Sequence, residues 1–148
     1  MPIKPILHLE YFVRKFDSYL LGENKMIDRD TAWKFAHEWL DAWNKHDVDL
    51  IMKHYADSIE FCSPVVQKVL GDPKGIVCGI DNLRDYFSRQ LQKFSTLHFQ
   101  LLDVFTSPKS IVLYYKINRG LLAAEVMLLD NNMKATKVYA NYDKNDVG

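Results

Sequence analysis

The chain has 148 residues, 48% of them hydrophobic and 13% aromatic, which is enough to fill one sizeable core and leaves no length for a second domain. Nineteen basic residues balance nineteen acidic ones and like charges are dispersed along the chain, so a surface that neutralises nucleic-acid phosphates is excluded. Apolar runs are short and the first thirty residues carry charges throughout, which argues against a spanning helix or a signal peptide and for a cytoplasmic protein.

Residues 1–27 read as an N-terminal extension. Leu9, Phe12, Val13, Phe16, Tyr19 and Leu20 fall on one helical stripe, and Gly22, Glu23 and Asn24 break it, so a helix is expected here that packs on the domain or on a partner subunit. The domain proper is expected over 28–143, with 144–148 as a tail. Asp28 and Asp30 supply cap oxygens and first-turn charge to a helix carrying Trp33, Phe35, Ala36, Trp39, Leu40 and Trp43 at helical spacing. Asn44, Lys45 and His46 end it, with His46 suited to a left-handed conformation, and Asp47 then caps a short helix through Tyr55. His37 belongs to an exposed helix face, and His54 reads as a satisfied core histidine rather than a base.

From Asp57 to Phe87 the sequence reads as a strand, a long loop closed by Gly79, and a helix capped by Asp81 with Leu83, Tyr86, Phe87 and Leu91 on its apolar stripe. The strand stops at Pro64, which lacks the N–H of a central ladder, so Ser63 is placed at a strand mouth. The loop 65–78 carries Gly71, Asp72, Pro73, Lys74 and Gly75 and is either a lid over a pocket or an ordinary surface loop. Cys62 and Cys78 have no metal-ligand spacing and read as two buried, reduced thiols; neither a metal nor a cofactor is expected. Four strands follow over 97–106, 111–118, 121–130 and 134–143, separated by turn signals that include Arg119-Gly120, as an antiparallel meander. Helices, one inserted strand and a meander predict an α+β domain whose curved sheet wraps the helices.

Glu125 is distinctive on sequence alone. In LLAAEVMLL it is the single charge, and Ala123, Met127 and Leu129 share its face of the strand. Either it is a carboxyl with a raised pKa at the bottom of a pocket, acting as acid, base or hydrogen-bond donor, or it lies on the outer face paired with a lysine or arginine. Trp39, Tyr55, Phe61, Tyr86 and Tyr142 lie at inward positions on different elements and are the candidate substrate-binding residues. The alternate residues Val112, Tyr114, Val126 and Leu128 would form an apolar outer face, which suggests a homodimer.

The phrases AWNKHDVDLIMKHYADSIEF, GIDNLRDYF and the closing KVYANYD, in that order, resemble the nuclear transport factor 2-like superfamily, and within it the SnoaL-like group, over residues 28–143. The resemblance implies an α+β cone, a curved antiparallel or mixed sheet around three helices, with the N-terminal helix appended. It is a poor guide to activity, because that cone serves isomerases, cyclases, dehydratases, epoxide hydrolases and non-enzymes. Ketosteroid isomerase, a distant member, pairs a general-base aspartate with an oxyanion hole of a tyrosine and a protonated aspartate. Matching the phrases puts Trp39 at the tyrosine, Ser63 at the base aspartate and Glu125 at the protonated aspartate. An indole N–H donates but is not usefully acidic, and an unassisted serine is no base, so steroid isomerisation by that route is not expected. The readings that remain are a proton-transfer enzyme (isomerase, cyclase or dehydratase) on a small apolar carbonyl or polyketide-like substrate, and a non-catalytic binding or dimerisation module.

Overall fold

The computed structural model describes residues 5–21 and 26–144. Its elements run α1 (Pro5–Leu21), α2 (Arg29–Asn44), α3 (Val48–Met52), β1 (Tyr55–Cys62), α4 (Pro64–Leu70), β2 (Ile76–Cys78), α5 (Ile80–Lys93), β3 (Phe99–Thr106), β4 (Ser110–Ile117), β5 (Leu121–Leu129) and β6 (Ala135–Tyr142). The six strands form one mixed sheet in the order β2-β1-β6-β5-β4-β3, antiparallel everywhere except where β1 runs parallel to β6. Register shifts in the β1–β6, β3–β4 and β5–β6 pairs add the local twist that curves such a sheet. One face is buried under α2, α3 and α5, and the helix side chains fill the space that the curvature encloses.

Local chemistry explains where the helices start and stop. The Asp28 carboxylate accepts from the Thr31 backbone N–H and from the Thr31 hydroxyl, both at 3.0 Å, and these bonds hold its pKa below the ordinary carboxylate value. Ala32, Phe35, Ala36, Trp39, Leu40, Ala42 and Trp43 then bury one side of α2, with Trp33 half-buried at the rim. Asn44 fixes the end of α2 to β3 by donating to the Phe99 carbonyl (2.9 Å) and accepting from the Phe99 N–H (2.8 Å). His46 does take a positive φ, 52°, and its ring Nε2 meets the Leu97 carbonyl at 2.7 Å. His54 packs edge-on against Phe35 and its Nδ1 meets the carbonyls of Leu50 and Ile51, while burial lowers its pKa, so it is a satisfied, half-buried histidine.

The structure corrects the sequence reading in several places. The segment 65–78 is not an open loop. Ser63 caps α4 by accepting from the Val65 N–H at 3.1 Å, Pro64 occupies the first turn where its missing N–H costs nothing, and Gly71 ends the helix in a left-handed conformation. The chain then turns back, with Gln67 donating to the Pro73 carbonyl and the Ser63 N–H to the Gly75 carbonyl, into edge strand β2. The domain therefore has one helix more than expected. The cap position of α5 is Gly79, at φ 86°, and Asp81 sits inside the first turn, where its charge still favours the helix dipole. The helix capped by Asp47 ends at Met52, and Tyr55 opens β1. Alternation along β1 and β2 turns Phe61 and Val77 inward and leaves Cys62 half-buried and Cys78 exposed, so the two thiols are not core residues. The stripe of α1 is uncovered within the chain, since residues 9–17 are all exposed; Tyr19 and Leu20 lie outside the side chains described.

Candidate functional site

The β4–β5 hairpin builds the site. Its turn, 118–120, has Arg119 at φ 67° and Gly120 at φ 80°, and it closes Ile117 on Leu121. That register sets Glu125 opposite Leu113 and Tyr115 opposite Ala123, so Tyr115 and Glu125 are diagonal neighbours on the inner face. The Tyr115 hydroxyl donates to Glu125 Oε1 at 2.8 Å. Glu125 itself is only 5% exposed, and its Oε2 is buried without a hydrogen-bond partner. Burial pushes its pKa up to about 7, against the opposing effect of the Tyr115 hydrogen bond. The outer-face alternative for Glu125 is therefore overturned.

Four tyrosine hydroxyls surround this carboxyl closely enough to feel its charge. Burial, then the Glu125 charge, raises the pKa of Tyr55, Tyr86, Tyr115 and Tyr142, with Tyr86 pushed up to about 12. At neutral pH all four are hydrogen-bond donors. Trp39 Nε1, on α2, donates to the Tyr55 hydroxyl at the start of β1 at 3.0 Å and fixes it. The Trp39 ring is in turn held between Phe99, stacked at 5.7 Å, and the edge of Tyr115 at 5.4 Å. Ser63 is buried and its Oγ caps α4, and it lies near enough to Tyr142 to oppose the effect of burial on that phenol. Phe61 stands one ring further out, against Tyr86 at 6.2 Å and Phe87 at 5.2 Å.

Sequence reasoning thus named Glu125, Trp39, Tyr55, Tyr86, Tyr142 and Ser63, which the fold gathers, and Phe61, which supports Tyr86. It missed Tyr115, the one side chain hydrogen-bonded to the Glu125 carboxyl. The signal for it was the alternation of β4 together with the pairing of the hairpin.

Aromatic rings occupy much of the interior, and two surface grooves lie elsewhere. One of about 420 Å³ runs between Phe35, Glu38, Asp41, Lys45, His54 and Met133. The other, about 260 Å³, lies among Val65, Val69, Lys93 and Phe94. Neither is lined by Glu125. Among the described residues no group of three or more His, Cys, Asp or Glu side chains is placed to hold a metal ion. No helix among them is long and apolar enough to cross a membrane.

A family model for the SnoaL-like domain matches residues 36–126, a span that runs from α2 through Glu125. The chain belongs to the SnoaL-like family. A SnoaL-like protein of unknown function from Burkholderia thailandensis E264 is 33% identical and superposes with a TM-score of 0.77, over 80% of this chain and 98% of that one. The SnoaL-like fold is shared with a candidate isomerase of that family from Agrobacterium tumefaciens strain C58, at 15% identity and TM-score 0.60, over 76% of this chain and 97% of the other. It is also shared with TerC, co-crystallised with polyporic acid, at 12% identity and TM-score 0.62, over 76% and 91% of the two chains. No protein of curated function matches the chain. The mixed, curved sheet with its helices is the nuclear transport factor 2-like cone that these relatives share.

Proposed function

We propose that this SnoaL-like protein is a cytoplasmic enzyme that binds a small, mostly apolar carbonyl compound inside the cone and moves a proton on it, as an isomerase does. The observation that carries the reading is the Glu125 carboxyl, with Oε1 held by Tyr115, Oε2 unpartnered and a pKa of about 7. A carboxyl that titrates near neutral pH serves best as a base that must also give its proton back. In its ionised form Oε2 takes the proton from the carbon next to the carbonyl, and the electron pair of that C–H bond moves onto the carbonyl oxygen. The resulting enolate accepts hydrogen bonds from the neutral tyrosine hydroxyls, of which Tyr55 is fixed by Trp39. Glu125 then returns the proton to a different carbon of the conjugated system, which completes an isomerisation and restores the carboxylate. Ser63 has no part in the proton transfer, because its Oγ is committed to the α4 cap. At the level of the fold, the candidate isomerase and the co-crystallised TerC support a small organic molecule in such a cone.

The test is deuterium uptake from D2O at the carbon next to the carbonyl in a panel of apolar ketones and enones. The wild-type protein should exchange at least one of them and Glu125→Gln should not; exchange by Glu125→Gln at the wild-type rate would overturn the assignment. A non-catalytic reading has one observation in its favour, the rings that crowd the interior. It expects ligand binding without exchange in either protein. We further propose a homodimer joined over the outer face of the sheet, where Val112, Tyr114, Val126 and Leu128 are not buried within one chain.

A further inference from the structure

Cross-strand pairing draws an apolar band over the outer face of the sheet. Phe105 pairs with Val112, Val112 with Val126, Val126 with Tyr139, Tyr139 with Cys62 and Cys62 with Ile76, so one row crosses all six strands without a charged residue. Phe105 is 54% exposed and Tyr139 41%, and Leu128 beside the row is 39% exposed. A contiguous patch of this kind on a small domain calls for a cover.

The same chain carries an uncovered cover. Leu9, Phe12, Val13 and Phe16 follow the i, i+3, i+4, i+7 spacing of a single helix face, and all four are exposed, with Phe12 and Phe16 stacked at 6.2 Å. The lengths agree: 17 helical residues rise about 25 Å, and five inter-strand spacings span about 24 Å. The domain also receives the chain at one end of the band, because the Ile27 N–H bonds to the Ser107 carbonyl at 3.0 Å, two residues past Phe105. Ile27 therefore lies at the β3 edge of the sheet. Within one chain helix and band leave each other bare, which is the arrangement expected of surfaces that meet only when a second copy is present.

We infer that two copies of the chain dock reciprocally, the α1 helix of each lying along the outer-face band of the other. This rests on the proposed homodimer and names what makes it, a helix on a sheet rather than one sheet on another. Two such contacts, related by a two-fold axis, would together bury on the order of 1,000 Å² or more, the size at which a specific interface becomes stable.

Light scattering of the full chain at micromolar concentration, with near-UV circular dichroism as a check on the fold, tests it through two variants. Phe12→Asp/Phe16→Asp alters only the exposed helix face, and Val126→Asp alters the centre of the band. The wild-type chain should have twice the monomer mass, and both variants should fall to the monomer mass with the wild-type spectrum. A dimeric Phe12→Asp/Phe16→Asp beside a monomeric Val126→Asp would overturn the helix contact and leave the outer-face dimer standing. A dimeric Val126→Asp beside a monomeric helix variant would mean that the helices pair with each other, which also overturns the inference. A monomeric wild-type chain would remove both the inference and the homodimer beneath it. Should Val126→Asp lose the native spectrum, Phe105→Asp, at a more exposed site on the same band, takes its place.

Discussion

A buried glutamate that titrates near 7 makes stability fall as pH rises, because only its ionised form is penalised. The unfolded chain ionises near the ordinary value of 4.5 and the folded chain at about 7. Below the first value the cost is absent; it grows between the two and is constant above the second, where it amounts to roughly 3 kcal/mol at about 1.4 kcal/mol per unit. Urea unfolding should therefore show the wild-type protein losing stability between pH 5 and 8. Glu125→Gln, which cannot ionise, should lack this decline, keeping only the gain with rising pH that the lowered His54 pKa contributes, and should match or exceed the wild type at pH 8. A parallel decline in both proteins would place the titrating group elsewhere. Tyr115→Phe removes the hydrogen bond that lowers the Glu125 pKa, so the carboxyl should then titrate above 7, read by carboxyl-carbon NMR. Glu125 could be found in the sequence because a lone charge in LLAAEVMLL has few places to go. Tyr115 was overlooked, although placing Val112 and Tyr114 on the outer face already turns it inward; the three-residue turn, which pairs Glu125 with Leu113, then makes it the diagonal neighbour of the carboxyl. One residue of register decides which tyrosine meets the carboxyl.

Helix α4 and the turn behind it show what spacing alone does not reveal. Hydrophobic periodicity found the long helices and the meander, because each repeats its signal over two or more turns or four or more alternations. Helix α4 is only seven residues long and buries a single side chain, Val66, so it has almost no periodicity. Its evidence was local: Ser63 before Pro64 at one end and Gly71 at the other, the capping chemistry of a short helix. The tight turn that follows depends on Gly75, at φ 63°, where an added Cβ would stand 2.8 Å from the Ser63 carbonyl oxygen and 2.6 Å from Gln67 Cγ. Gly75→Ala should therefore destabilise the protein by more than about 1 kcal/mol, from left-handed strain and the backbone clash together. Thermal melting that left the midpoint unchanged would show that the turn relaxes freely. Ser63→Ala removes the α4 cap and should cost about 0.5 to 2 kcal/mol.

For the molecule as a whole, the curved sheet wrapped on its helices was legible because the order of elements, helices, one strand, helix and meander, admits few packings that bury every apolar face, and the family resemblance implied the cone. The cone closes over Glu125, with aromatic rings and tyrosine hydroxyls packed around it. The proposed site requires Glu125 to be inside, uncharged for part of the physiological range, and reachable by a ligand. Carboxyl-carbon NMR of the full-length protein, with only the Glu125 side chain assigned by difference from Glu125→Gln, measures this directly. It should return a pKa of about 7, and an apolar ketone that binds should shift that titration. A value at the ordinary 4.5, or a raised value that no member of an apolar ketone panel perturbs, would contradict a working site at Glu125.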